Sequence, residues 1–152
     1  MKFVLDRFNM VDCRPLCVSI SMGTNLSIYD CPKSPSEVED MSRISFSSAL
    51  GSLMYAMVYT RLDIAQAVGV LSRFMANPGW VHWDAVKRVF KYLRGTSHYS
   101  ICYHGNSFRT PHSVCSCRFV NSDWDGDIGH RRSTNGYVFT MFGGAISWMS
   151  KR

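Results

Sequence analysis

Between positions 46 and 93 apolar residues recur at helical spacing in three successive runs, and beyond Gly95 the spacing falls to two. A chain that spends its 3.6 period first and its 2 period afterwards segregates helices from strands, which places it in the α+β class. In the first run Phe46, Ala49, Leu50, Leu53, Met54 and Met57 form one stripe, and Ser47, Ser48, Gly51 and Ser52 form a small-residue side. The second run follows Thr60, read as an N-cap with Asp63 three positions on, and carries Ile64, Ala67, Val68, Leu71, Phe74 and Met75. Asn77-Pro78-Gly79 ends it. The third run, 80–94, buries Trp83, Val86, Val89, Phe90 and Leu93, with Gly95 placed for a left-handed C-terminal cap. Three stripes with short breaks predict a small helical bundle.

Strands are predicted at 99–105 and 117–124, then as a hairpin of 136–142 and 145–150 turned by Gly143-Gly144. The sequence before residue 45 is less regular. Val4, Leu5 and Phe8 suggest a short opening helix. Pro15, Pro32 and Pro35 mark residues 13–40 as an irregular connector with one extended piece around 16–20. The expected organisation is a leader over 1–44, a helical region over 45–97 and a β region over 98–152.

With 152 residues and 46% hydrophobic content, the chain has the means to bury a core, and wholesale disorder is excluded. Its longest apolar run, residues 53–59, is too short to span a bilayer, and the N-terminus lacks the form of a signal peptide. An intracellular location, cytoplasm or nucleus, is expected, with the six cysteines as reduced thiols. The net charge of +6 is uneven: residues 1–44 hold five basic and six acidic groups, 45–100 six and two, 101–152 six and three. Positive charge therefore sits where the regular patterns sit, and favours a polyanionic partner.

Two clusters carry candidate chemistry. Lys87, Lys91 and Arg94, with Arg88 beside them, make one cationic helix face. Such a face can follow a phosphate backbone by displacing counterions, or simply be solvated. In "FVNSDWDGD" (119–127) strand alternation puts Asn121, Asp123 and Asp125 on one face, with Asp127 following. Two-metal phosphodiester chemistry needs several carboxylates around ions about 4 Å apart. An Asp- and Gly-rich turn has the same composition. Cys102, His104, His112, Cys115 and Cys117 have metal-ligating side chains, but Cys-x-Cys is a poor zinc chelate, so they read as thiols and surface histidines. No serine or cysteine has the spacing of a catalytic nucleophile.

The stretch "SSALGSLMYAMVYTRLDIAQAVGVLSRFMANPGWVHWDAVKRVFKYLRGT" resembles the segment that follows the polymerase palm in the pol polyprotein of copia-type retrotransposons, especially plant elements. "VNSDWDGDIGHRRSTNGYVFTMFGGAISWMSKR" resembles the start of the ribonuclease H domain that comes next, and "LDRFNM" extends the match toward the N-terminus. The resemblance implies a thumb/connection-like helical region and a truncated ribonuclease H-like antiparallel sheet of three to four strands. The parent family is an RNA-directed DNA polymerase with ribonuclease H activity and uses Mg²⁺. Its Tyr-x-Asp-Asp motif is expected upstream of residue 1, and three of its four ribonuclease H acids beyond Arg152. The family's Asp-x-Asp-Trp reads here Asn121-Ser122-Asp123-Trp124, so its first metal ligand is replaced by an amide. Leu62, where the family has proline, and "CRPLCVSISM", in place of Pro-Val-x-Thr-Pro, also depart.

The expected function is therefore a polyprotein fragment, catalytically inactive alone and without a cofactor. It would bind RNA–DNA hybrid or other nucleic acid weakly through Lys87, Arg88, Lys91 and Arg94, with the rest of the polyprotein as a partner and no membrane. Its alternatives are a divalent-metal nuclease using Asp123, Asp125 and Asp127, and a basic nucleic-acid-binding module. A truncated sheet leaves an edge and an apolar face open, so marginal stability is expected.

Overall fold

The computed structural model describes residues 2–21, 24, 26–103, 116–123 and 133–151. It is α+β, as expected, and consists of two compact units, Met1–His98 and Tyr99–Arg152.

The described residues of the first unit form five helices: α1 (Lys2–Arg7), α2 (Pro35–Ser42), α3 (Phe46–Tyr59), α4 (Ala65–Ser72) and α5 (Trp80–Gly95), with 3₁₀ turns at Ile28–Asp30 and Leu62–Ile64. The leader does more than connect. Leu5 and Leu26 lie in the same core as Leu50, Leu53, Val86 and Phe90, and each such side chain contributes about 1.5–3 kcal/mol by leaving water. Phe8 stacks on Phe90 with ring centroids 5.1 Å apart.

The helix α2 corrects the reading of 13–40 as irregular. Ser34 accepts from the Glu37 amide, and Glu37 Oε2 accepts from the Ser34 amide, forming a capping box with Pro35 in the first turn. Pro35, one of the three prolines that suggested a break, marks a helix start.

Three expectations about α3 to α5 also change. Thr60 closes α3 instead of opening the next helix: its amide and that of Arg61 both reach the Ala56 carbonyl, at 3.1 and 3.0 Å. The second helix begins only at Ala65, after the 3₁₀ turn, and its last turn tightens to bonds such as Phe74 N–H to Leu71 C=O at 3.1 Å. In α5 the innermost polar side chain is His82, fully buried, while Trp83 packs at the margin of the core. Gly95 is not a left-handed cap. It is the last residue of α5 and matters for close approach: a Cβ there would lie 3.0 Å from Pro15 Cβ and 3.2 Å from the Leu16 carbonyl oxygen.

Among its described residues the second unit forms an open three-stranded antiparallel sheet in the order β1 (Ser116–Asp123), β2 (Thr134–Met141), β3 (Gly144–Lys151). Asn121 pairs with Gly136 and Asp123 with Thr134, and Gly136 pairs with Ser150 across β3. The β2–β3 register shifts at Phe139/Thr140, whose partners Ser147 and Ala145 leave Ile146 as an extra bulged residue. The hairpin turn is Phe142-Gly143 and not Gly143-Gly144: φ is 52° and 79° at these two positions. Positive φ at both central residues is the requirement of a type I′ turn, whose twist matches that of the strands. Of the predicted strand 99–105, residues 99–103 are not extended into the sheet, and 104–105 lie outside the described residues. The Tyr103 hydroxyl instead donates to the Ala145 carbonyl at 2.7 Å.

Candidate functional site

The helical patterning that builds α5 also sorts its cations. Its core face is His82, Ala85, Val86, Val89, Phe90 and Leu93. That geometry turns Lys87, Arg88, Lys91 and Arg94 outward, but the structure does not present the four alike. Lys87 Nζ is 2.5 Å from Asp84 Oδ1, three residues back on the helix. Lys91 is half-buried, and its backbone carbonyl accepts from the Leu16 amide at 3.2 Å. Arg88 donates from Nη2 to the Ser21 hydroxyl, and Arg94 donates from Nε to the Val11 carbonyl. Two of the predicted phosphate-binding residues are thus hydrogen-bonded to the leader that crosses them.

Sequence reasoning missed the most buried charge in the unit. Arg61 is 2% exposed. Its guanidinium grips Asp63 through two bonds, Nε–Oδ1 at 2.9 Å and Nη2–Oδ2 at 2.7 Å, and reaches the Thr96 carbonyl at 3.2 Å and hydroxyl at 2.5 Å. Tyr92 completes the group by donating its hydroxyl to Asp63 Oδ2 at 2.7 Å. Burial alone would raise the Asp63 pKa, but the bonds from Arg61 and Tyr92 outweigh it and hold the carboxyl below its usual range. This network ties the α3–α4 joint to the end of α5. It explains why Asp63, expected to cap a helix, is spent on an ion pair.

His82 is a second buried polar group. Its Nδ1 accepts from the Gly79 amide at 2.8 Å and its ring stacks on Phe74 with centroids 3.9 Å apart. With Nδ1 accepting, the neutral ring carries its proton on Nε2, which makes no close hydrogen bond among the described residues. Burial lowers the His82 pKa, against smaller opposing effects of Asp30 and the Ser27 backbone.

In the sheet, strand pairing puts Asn121 beside Gly136 and Ser150 on one face, with Asp123 beside Thr134 at the end of β1. Asp125 and Asp127 lie outside the described residues. Among the described residues no group of three His, Cys, Asp or Glu side chains is placed to hold a metal. Of the five zinc candidates, Cys102 and Cys117 are exposed thiols, and His104, His112 and Cys115 lie outside the described residues. No helix among the described residues is long and apolar enough to cross a membrane.

Comparison with known proteins extends these local observations. The chain is 47% identical over 148 residues, 97% of its length, to the retrovirus-related Pol polyprotein from transposon TNT 1-94 of Nicotiana tabacum, where the match covers 11% of that protein. It is 32% identical over 149 residues to the Pol polyprotein from transposon RE2 of Arabidopsis thaliana, covering 98% of this chain and 9% of that one. The chain belongs to the retrovirus-related Pol polyproteins of plant transposons. This Pol segment spans about a tenth of the length of those two relatives. It is also 44% identical over 112 residues to secreted RxLR effector protein 161 of Plasmopara viticola, covering 74% of this chain and 75% of that protein. No family model matches the segment, and no solved structure matches it significantly.

Proposed function

We propose that this Pol segment is non-catalytic by itself, contributes a thumb/connection-like helical unit and the first strands of a ribonuclease H-like sheet, and binds nucleic acid weakly through α5. The observation that carries the reading is Asn121. It sits in β1 opposite Gly136, in the position that the family's sequence pattern gives to the first metal-ligating aspartate. An amide supplies one neutral oxygen where a carboxylate supplies two with a charge, so attraction for a divalent ion drops sharply. Asp123, the neighbouring acid, pairs with Thr134 at the end of β1.

The binding half of the reading rests on the charge of 45–100, six basic against two acidic groups, and on the half-exposed Lys87 and Lys91 of α5. These are the residues a phosphate backbone would meet first. Contacts of this kind are sequence-independent and fade as salt rises. The remainder of the polyprotein would supply the metal-binding acids and the polymerase centre.

The test is incubation of purified protein with RNA–DNA hybrid and Mg²⁺ or Mn²⁺, alongside a binding titration over a salt series. The expected outcome is no cleavage, and weak binding whose affinity falls with salt and falls further in Lys87→Ala/Lys91→Ala. Cleavage that disappears in Asp123→Ala would overturn the non-catalytic assignment. Binding indifferent to salt or to the lysines would overturn the α5 interface.

A further inference from the structure

Four contacts fasten the leader across the cationic side of α5. Arg94 Nε donates to the Val11 carbonyl, the Leu16 amide donates to the Lys91 carbonyl at 3.2 Å, Arg88 Nη2 donates to the Ser21 hydroxyl, and Pro15 and Leu16 press against the place where Gly95 has no side chain. Val11, Arg14, Pro15, Cys17 and Val18 are open to solvent, whereas Leu16 is half-buried and Ile20 packs against the core, so the crossing is anchored toward its C-terminal end and loosely held before it. Its partners are the two arginines of the candidate phosphate-binding set.

We infer that residues 11–21 are a displaceable strap which restrains Arg88 and Arg94, so that the released helix offers polyanions the whole guanidinium of each beside Lys87 and Lys91. This rests on the α5 interface proposed above. Neither arginine loses its charge to a neutral hydroxyl or carbonyl, so long-range attraction is unchanged in the strapped state. What the strap removes is contact. Arg88 Nη2 has to leave the Ser21 hydroxyl, and Arg94 Nε the Val11 carbonyl, before every donor of either guanidinium is free for a phosphate. Counterion release counts contacts, and the slope of log affinity against log salt grows by roughly 0.9 for each phosphate newly neutralised on a B-form duplex. The strap therefore predicts a steeper slope when it is up than when it is down, by up to about two contacts.

Two variants loosen it by different routes. Ser21→Ala removes the acceptor of Arg88 and leaves every core residue in place. Gly95→Ala puts a methyl group 3.0 Å from Pro15 Cβ and 3.2 Å from the Leu16 carbonyl oxygen, tight enough that the exposed strap must yield. Each is titrated with the same RNA–DNA hybrid across a salt series, with circular dichroism as the check that the helices persist. The expected result is a steeper slope than wild type, by about one contact for Ser21→Ala and up to about two for Gly95→Ala, with tighter binding at low salt. Salt-dependent binding by the wild type with no steepening in Ser21→Ala would overturn the strap while leaving the α5 interface standing. Absence of salt-dependent binding in the wild type and both variants would overturn the interface itself, and the strap with it. Loss of helicity in Gly95→Ala would leave Ser21→Ala to decide.

Discussion

Arg61 carries the largest single-residue consequence in the helical unit. Its planar fork satisfies both oxygens of Asp63 and two groups of Thr96 at once, and a lysine has one ammonium to do the same work. Arg61→Lys should cost about 2–3 kcal/mol, read as a lowered midpoint of urea unfolding followed by helical circular dichroism; a change below about 0.5 kcal/mol, the range of ordinary surface substitutions, would contradict the network's role. His82 sets a pH dependence. Its folded pKa lies below the ordinary value of 6.5 because burial disfavours the cation. The unfolded chain therefore takes up a proton that the folded chain refuses, and the stability present above that value is lost as pH falls through it toward the folded pKa. Unfolding midpoints should drop between pH 7 and pH 5, and the drop should shrink in His82→Asn, whose amide oxygen can still receive the Gly79 amide. An equal drop in both proteins would assign the acid sensitivity elsewhere.

At the scale of elements, local chemistry decides more than periodicity does. The capping box at Ser34 and Glu37 nucleates α2, and Ser34→Ala should destabilise the unit by about 1 kcal/mol in the same urea assay. Phe142 holds a positive φ that a bulky residue adopts at a cost of roughly 1–2 kcal/mol. Phe142→Asn creates the preferred Asn-Gly pair of a type I′ turn, and should raise the resistance of β2–β3 amides to hydrogen exchange; faster exchange would show that the ring's packing outweighs the strain. The long stripes of α3 and α5 and the two hairpin strands were legible in the sequence because each repeats its period over several turns or pairs. The beginning of α2 was legible too, as Ser-x-x-Glu with proline in the first turn, but prolines read as breakers hid it. A break after the first stripe was legible at Thr60, but the late start of α4 at Ala65 and the bond of Arg61 to Thr96 were not, because that partner lies 35 residues away along the chain. The same distance problem hides the partners of Arg88 and Arg94, which come from 67 and 83 residues upstream. A cationic face is visible in a helical period, whereas the segment lying over it is not. Asn121 was legible only against the family's pattern, since an asparagine in a strand has no chemistry that draws attention to itself.

At the scale of the whole molecule, the two units differ in how well they cover themselves. The helical unit closes around one core. In the sheet every described β1 side chain is exposed, including Phe119 at 62% and Val120 at 67%, which alternation puts on opposite faces. An open strand with apolar residues on both sides invites pairing or association. Phe119→Lys with Val120→Thr should therefore reduce concentration-dependent light scattering on warming without lowering helical content; unchanged scattering would point to another surface. The assignment of this Pol segment as non-catalytic alone turns on divalent-ion affinity, and a Mn²⁺ titration read by the loss of its free-ion electron paramagnetic resonance signal measures that directly. The account predicts weak, single-site or non-saturating binding by the wild type, tightened several-fold in Asn121→Asp by the restored carboxylate. Two Mn²⁺ ions held tightly by the wild type, and released in Asp123→Ala, would contradict it.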